Sequence, residues 1–451
     1  MQQRGIGGLD TGPETLKRQF ARAKAFGALC ADALDVREFM STAAVARDMV
    51  EIVDRMDELR VKTLLSKPGQ KFTQHPLQSR EREVARLQYF GFSYGTMLGN
   101  TFASMFPGRV GRMILDGVED PEDYIKAVST TKAFMFLIHT DRCDQTWIKN
   151  LVDTEKVVEY FYETCFEADS SCPLRRSSDS SWHDMKDRVD MMIKDVATSP
   201  IPIVHNNQAT IVTAEDVSLT FQAPLYAPIA FFSRLATVLA DAVNGNYTLI
   251  AEQEKFPKRQ DACLFENQTL RYTWTMDAAY TYICNDGDDQ TQFGLSYFAS
   301  YIQQLKKQSP IFGAAWAGLR FECSGWKNRP NWRFTGPFTT PEPVLSLREG
   351  HPAAPLLLLS AKIDPVTPLA NAFTVSQQHP GSAVLVQESV GHCATFSSPS
   401  QCTKRIIQEY FETGTVPKNG TVCNADCKPW EPCDSAPEGF MISPIFFNNV
   451  I

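Results

Sequence analysis

By residue type and position, three side chains could carry nucleophilic chemistry: Ser93, Asp364 and His392. Ser93 is the centre of Gly91-Phe92-Ser93-Tyr94-Gly95. This is a G-x-S-x-G run, in which a strand turns so sharply into a helix that the serine stands exposed at the apex. Glycine is expected at both flanks because a side chain there would meet the facing strand or helix. Leu87 to Phe90 reads as strand and Thr96 to Met105 as helix, the setting such a turn requires. A serine hydroxyl is a poor nucleophile at neutral pH, so an imidazole must take its proton and later protonate the leaving group. A carboxylate must hold the imidazole tautomer and stabilise the imidazolium. The competing reading of the pentapeptide is a small-residue turn, so the partners decide.

Asp364 follows "PLLLLSAKI" and His392 follows "AVLVQESVG", so each stands where an apolar strand runs out. In a doubly wound sheet the loops at the carboxyl ends of parallel strands open onto one edge, where catalytic groups collect. The order Ser93, Asp364, His392 is that of serine, acid and histidine in α/β-hydrolases. The other histidines compete poorly: His75, His351 and His379 precede prolines in polar turns, His183 sits in a charged run, and His139 and His205 fall in or near the middle segment. A buried structural histidine is the plain alternative for any of them. Glu388 rivals Asp364, but it lies four residues before His392, within or at the end of the same strand.

The elements that must position these groups are legible as hydrophobic patterns. Residues 40–60 place Ala44, Val45, Met49, Ile52, Val53 and Met56 on one helical face, entered through Ser41 or Thr42 as a cap. After a polar stretch at 66–82 come the Ser93 turn and then "GRVGRMILDGV", a short buried strand ending at Asp116. Strand, helix and strand at this spacing make a βαβ unit and hence a parallel sheet. From about 120 to 345 the texture is helical with polar linkers; strand and helix alternation then resumes and closes with a helix ending near Gly414. The expected fold class is α/β: an α/β-hydrolase parallel sheet flanked by helices, with a large helical cap inserted. The expected division is 1–120 and 346–415 for the core, 121–345 for the cap, and 416–451 for a Cys-rich tail.

Composition narrows the partners. The net charge of -8 disfavours nucleic acid and anionic membrane and mildly suits a substrate with a free amine. No run of about 20 apolar residues implies a membrane anchor. Of the 12 cysteines, Cys165 with Cys172, and Cys423, Cys427 and Cys433, cluster in polar segments and read as disulfides. Three sequons, at Asn246, Asn267 and Asn419, also favour a secretory route. The tail "CNADCKPWEPC" lacks paired C-x-x-C spacing and a nearby histidine, which argues against zinc; no metal or cofactor is expected.

The blocks "GFSYGT", "FPGRVGRMILDGVEDP", "AKIDPVTPLANA" and "GHCATFSSPSQCTKRIIQEYFETGTVPKNGTVCNAD" together resemble the tripeptidyl-aminopeptidase-like branch of serine α/β-hydrolases, including prolyl aminopeptidase relatives and secreted fungal members. The likeness spans about 5–120 and 280–428, and the middle segment matches the family's cap only loosely. It implies Ser93 as nucleophile, Asp364 as acid, His392 as base, and hydrolysis of a peptide bond near a free amino terminus. It also implies a disulfide between Cys393 and Cys402 and another between Cys284 and Cys323.

One family feature is not found. Members carry a secretion signal and first strands leading to an H-G-G-P-G loop that supplies half of the oxyanion hole. Here Arg4 to Gly8 resembles a later R-G-x-G turn, "MQQRGIGGLD" has no apolar leader, and no H-G-G occurs in the chain. An upstream loss is the expectation that joins these observations. The backbone N–H of Tyr94 remains as an oxyanion donor, and lack of a second donor typically costs roughly 100- to 1000-fold in rate. The functional alternatives are an esterase, lactonase or thioesterase acting on a specialised metabolite, since fold and triad do not fix the acyl group, and a catalytically impaired remnant.

Overall fold

The computed structural model describes residues 7–31, 36–65, 84–126, 147–205, 208–252, 275–344 and 348–433. His75, His139, Asn267 and Arg4 lie outside them. The chain opens with two helices, α1 (Pro13–Ala31) and α2 (Thr42–Leu65). Then come β1 (Leu87–Phe92), α3 (Tyr94–Met105), β2 (Val110–Asp116) and the short α4 (Pro121–Ile125). All pairings in the main sheet are parallel. Its order is β1, β2, β5 (Leu357–Ile363), β6 (Ala383–Val390) and β7 (Thr421–Asn424). Leu357, Leu358 and Leu359 are fully buried. A strand covered on both faces needs such a run, and each leucine removed from water contributes roughly 1.5–3 kcal/mol.

The register brings the chemistry to one edge. Phe92, the residue before Ser93, pairs with Asp116, and Asp116 pairs with Leu359, so β1, β2 and β5 end together. Asp364 directly follows β5, and His392 lies two residues beyond β6. The segment after residue 416 is more than a tail: β7 extends the sheet, with Leu385 to Glu388 of β6 opposite Thr421 to Asn424.

Between β2 and β5 the chain builds α5 (Thr154–Glu167), α6 (Trp182–Thr198), the antiparallel strands β3 (Ile201–His205) and β4 (Gln208–Val212), α7 (Ala214–Leu219), α8 (Gln222–Tyr226) and α9 (Pro228–Val243). It continues with α10 (Thr248–Glu252), α11 (Thr275–Asp286), α12 (Leu295–Gln308) and α13 (Gly313–Phe321). One buried cluster centres on Phe161 of α5, Phe221 in the turn before α8 and Phe232 of α9. Another joins α1 to α11, α12 and α13 through Leu16, Phe298 and Phe321. The N-terminal helix therefore packs on the inserted segment: a Cβ on Gly27 would stand 1.8 Å from the carbonyl oxygen of Gly325.

Helix α2 forms as expected, capped by Ser41, whose hydroxyl oxygen accepts the Ala44 N–H at 3.2 Å, but it buries a different face. Val45, Ile52 and Met56 are 41, 56 and 66 % exposed, while Ala43, Ala46 and Val50 are buried. Small residues allow close approach of α2 to α3, and Asp54, its side chain still partly exposed, pairs with Arg109 at 2.5 Å. That packing and ion pair set the rotation of the helix against its most apolar side.

Among the described residues, cysteines pair as Cys165–Cys172, Cys284–Cys323, Cys402–Cys423 and Cys427–Cys433. The expected Cys393–Cys402 bridge is corrected: Cys402 starts the helix Gln401–Thr413 and binds β7, whereas Cys393 is a buried free thiol aimed at the main chain of Asp116. Among the described residues, no helix is long and apolar enough to cross a membrane.

Candidate active site

Ser93 lies between the end of β1 and the start of α3 with φ 52° and ψ -124°. A non-glycine residue adopts such angles only when its surroundings impose them, and such strain gathers at functional sites. The imposition is visible here. A Cβ on Gly91 would lie 2.5 Å from the carbonyl oxygen of Gly95, so the chain passes too close for any side chain. At Gly95 the crowding is milder, the nearest atom being the Tyr89 hydroxyl at 3.3 Å. The Ser93 N–H donates to the Asp116 carbonyl at 3.0 Å, and its carbonyl accepts from the Thr96 N–H and hydroxyl at 2.8 and 2.6 Å. Tyr94 is the first residue of α3, so its N–H has no acceptor within the helix and is available beside the serine.

Asp364 and His392 meet. Nδ1 of His392 is 3.1 Å from both carboxylate oxygens of Asp364 and 3.1 Å from Thr367 Oγ1. The carboxylate also accepts N–H bonds from Val366, Thr367 and Cys393 at 3.0, 2.8 and 2.8 Å. Burial pushes the Asp364 carboxyl up, but the imidazole and the Thr367 and Val366 donors outweigh it and hold the group below its ordinary value. Nε2 of His392 is buried and has no hydrogen-bond partner among the described residues. The face of the ring is braced from the inserted segment: Tyr226 makes an edge contact at 4.8 Å between centroids, and its carbonyl accepts the His392 N–H at 2.8 Å.

A base fixed at Nδ1 by a carboxylate, with Nε2 left for another proton, can perform acid-base chemistry on a serine hydroxyl. The rivals are elsewhere. Glu388 pairs with Lys362 at the surface at 2.7 Å. His379 is no exposed turn residue: it is buried between Asn100 and Thr340, at 3.0 and 3.2 Å, and desolvation pushes it down to about 4. His351 bonds the Glu342 carbonyl, and His183 stacks on Trp182.

Sequence reasoning missed Thr367, Tyr226 and the acidic group beside them. Glu119 accepts from Asn150 at 3.2 Å, and Asn150 also donates to the Val366 carbonyl at 2.8 Å. Burial, with the neighbouring Asp123, Asp364 and Asp120, pushes Glu119 up to about 8 against the lowering effect of Asn150. Thr367 had a signal, its place three residues after Asp364; Tyr226 had none, because it reaches the site from 166 residues away in the chain.

A parallel sheet bearing a strained serine turn and a carboxylate-bound histidine at its carboxyl edge defines an α/β-hydrolase. Residues 309–423 match the family of TAP-like proteins. The chain is 25% identical over 346 residues to serine protease Hip1 of Mycobacterium tuberculosis, covering 75% of this chain and 58% of the relative. It is 20% identical over 362 residues to tripeptidyl aminopeptidase of Streptomyces lividans, covering 78% of this chain and 59% of the relative. The chain spans about three fifths of the length of these curated relatives, and the matches support an α/β-hydrolase similar to the tripeptidyl-aminopeptidase-like proteins.

Proposed function

We propose that the protein is a serine exopeptidase of the tripeptidyl-aminopeptidase type, cleaving a peptide bond near a free amino terminus. Ser93 Oγ attacks the scissile carbonyl while His392 Nε2 takes its proton. His392 then gives that proton to the departing amine, leaving an acyl group on Ser93. Water, deprotonated by the same nitrogen, releases the acid and restores the serine. Asp364 stabilises the imidazolium, and the Tyr94 N–H donates to the oxyanion. The observation that carries this reading is the buried Asp364–His392 pair, with Nε2 unpartnered among the described residues and the nucleophile turn at the same sheet edge. The four disulfides among the described residues and the exposed sequons at Asn246 and Asn419 support a secretory route for it.

Fluorophosphonate labelling of the purified chain, with Ser93→Ala as control and the modified peptide located by mass spectrometry, tests the roles. Labelling confined to Ser93 is expected; equal labelling of the variant overturns the assignment. Turnover of amino-terminally free peptides beside blocked ones and aryl esters tests the substrate, and indifference to the free amine favours an acyl ester or thioester instead.

A further inference from the structure

We infer that Asp116 is a positioning residue that couples the nucleophile turn to the histidine loop, setting the separation of Ser93 from His392. The inference rests on the roles proposed for those two residues. Asp116 ends β2 and is fully buried. Its main-chain carbonyl receives the Ser93 N–H at 3.0 Å and the Cys393 thiol at 3.4 Å. Its carboxylate receives the Ala394 N–H at 2.6 Å, the Thr395 N–H at 3.0 Å and the Thr395 hydroxyl at 2.6 Å. One residue thus holds the backbone of the nucleophile on one side and the three residues after His392 on the other.

The carboxylate is spent on neutral donors. A buried carboxylate costs free energy unless its lone pairs are filled, and here three donors from a single dipeptide fill them. The surroundings leave little slack. A Cβ on Gly117 would be 2.5 Å from Cys393 Sγ and 3.2 Å from His392 Cε1, and the Gly117 N–H is tied to Leu359 at 3.1 Å. The histidine loop therefore rests directly on the end of β2. Loosening its anchor displaces the base relative to the nucleophile without touching a substrate-binding group. A displacement on the order of 1 Å at reacting atoms can cost roughly 100-fold in rate.

Asp116→Asn keeps the shape but turns one acceptor oxygen into an amide facing donors; Thr395→Val removes the hydroxyl alone, and Thr395→Ser restores it. Rate constants are taken per site titrated with fluorophosphonate, which removes any loss of folded protein. Asp116→Asn should lower kcat and the phosphonylation rate by about 10- to 100-fold with KM nearly unchanged. Thr395→Val should lower them by a few-fold, and Thr395→Ser should match the parent. Parental rates per site in Asp116→Asn, with only the titratable fraction or melting temperature reduced, would make the residue structural and overturn the inference. If Asp116→Asn does not fold, the Thr395 pair decides by the same criterion. Labelling of Ser93→Ala would instead remove the proposed nucleophile, a separate failure.

Discussion

The hydroxyl of Tyr94 lies 2.6 Å from Thr42 Oγ1, and Thr42 in turn donates to Asp286 at 2.5 Å. Asp286 ends α11, and Tyr282, one turn earlier, stacks on Tyr94 at 4.2 Å between centroids. The inserted segment thus grips the side chain of the residue whose N–H is proposed to face the oxyanion. Tyr94→Phe keeps the ring and the N–H and should cost about 1 kcal/mol of stability, with less than a tenfold loss of kcat. Thr42→Val strips Asp286 of its hydroxyl donor while leaving the Thr42 N–H bond at 2.8 Å, and should cost about 1–3 kcal/mol. Urea unfolding beside per-site kinetics separates the two effects; unchanged stability in both variants would show that the relay contributes nothing.

Stability should fall with rising pH because of Glu119. Its folded carboxyl is pushed up from 4.5 to about 8, mainly by burial. Between those values the unfolded chain has released a proton that the folded chain retains, so deprotonation favours unfolding across the window and the loss levels off above it. Glu119→Gln keeps a hydrogen-bonding amide without that proton. Melting curves from pH 5 to 9 should show a shallower decline for the variant, and parallel declines would assign the slope to other groups.

The bridge that holds β7 is Cys402–Cys423, whose ends are 21 positions apart in the chain. A loop of that size contributes about 3 kcal/mol by restricting the unfolded chain. Mass mapping without reduction should find a Cys402–Cys423 peptide, and Cys393 should alkylate only after unfolding. A Cys393–Cys402 peptide would contradict the fold at the histidine loop. Replacing both Cys402 and Cys423 by serine should lower stability by the stated amount in denaturant titration.

Gly27 and Gly325 meet backbone to backbone, with room for neither side chain. Gly27→Ala improves helix propensity by about 1 kcal/mol in an exposed helix but forces α1 off the inserted segment, at a typical overpacking cost of about 1–3 kcal/mol. Net destabilisation is expected by calorimetry, and a gain in melting temperature would mean that α1 does not dock there.

The sequence alone was enough for the parallel sheet, for the strand-turn-helix at Ser93 and for the places of Asp364 and His392 just beyond two strands, because each of these is written locally: an apolar run, a pair of glycines, a polar residue where a strand stops. It was also enough for Cys165–Cys172, whose partners are neighbours in the chain, and the family resemblance supplied Cys284–Cys323. It was not enough to orient α2, whose most apolar side faces outward because alanine packing and the Asp54–Arg109 pair govern its rotation. Nor could it find the partner of Cys402, the added strand β7, the Tyr226 brace or the double role of Asp116. Those depend on which distant segments come to lie against one another, and only the closed tertiary structure decides whether two surfaces are near enough, and small enough, to touch.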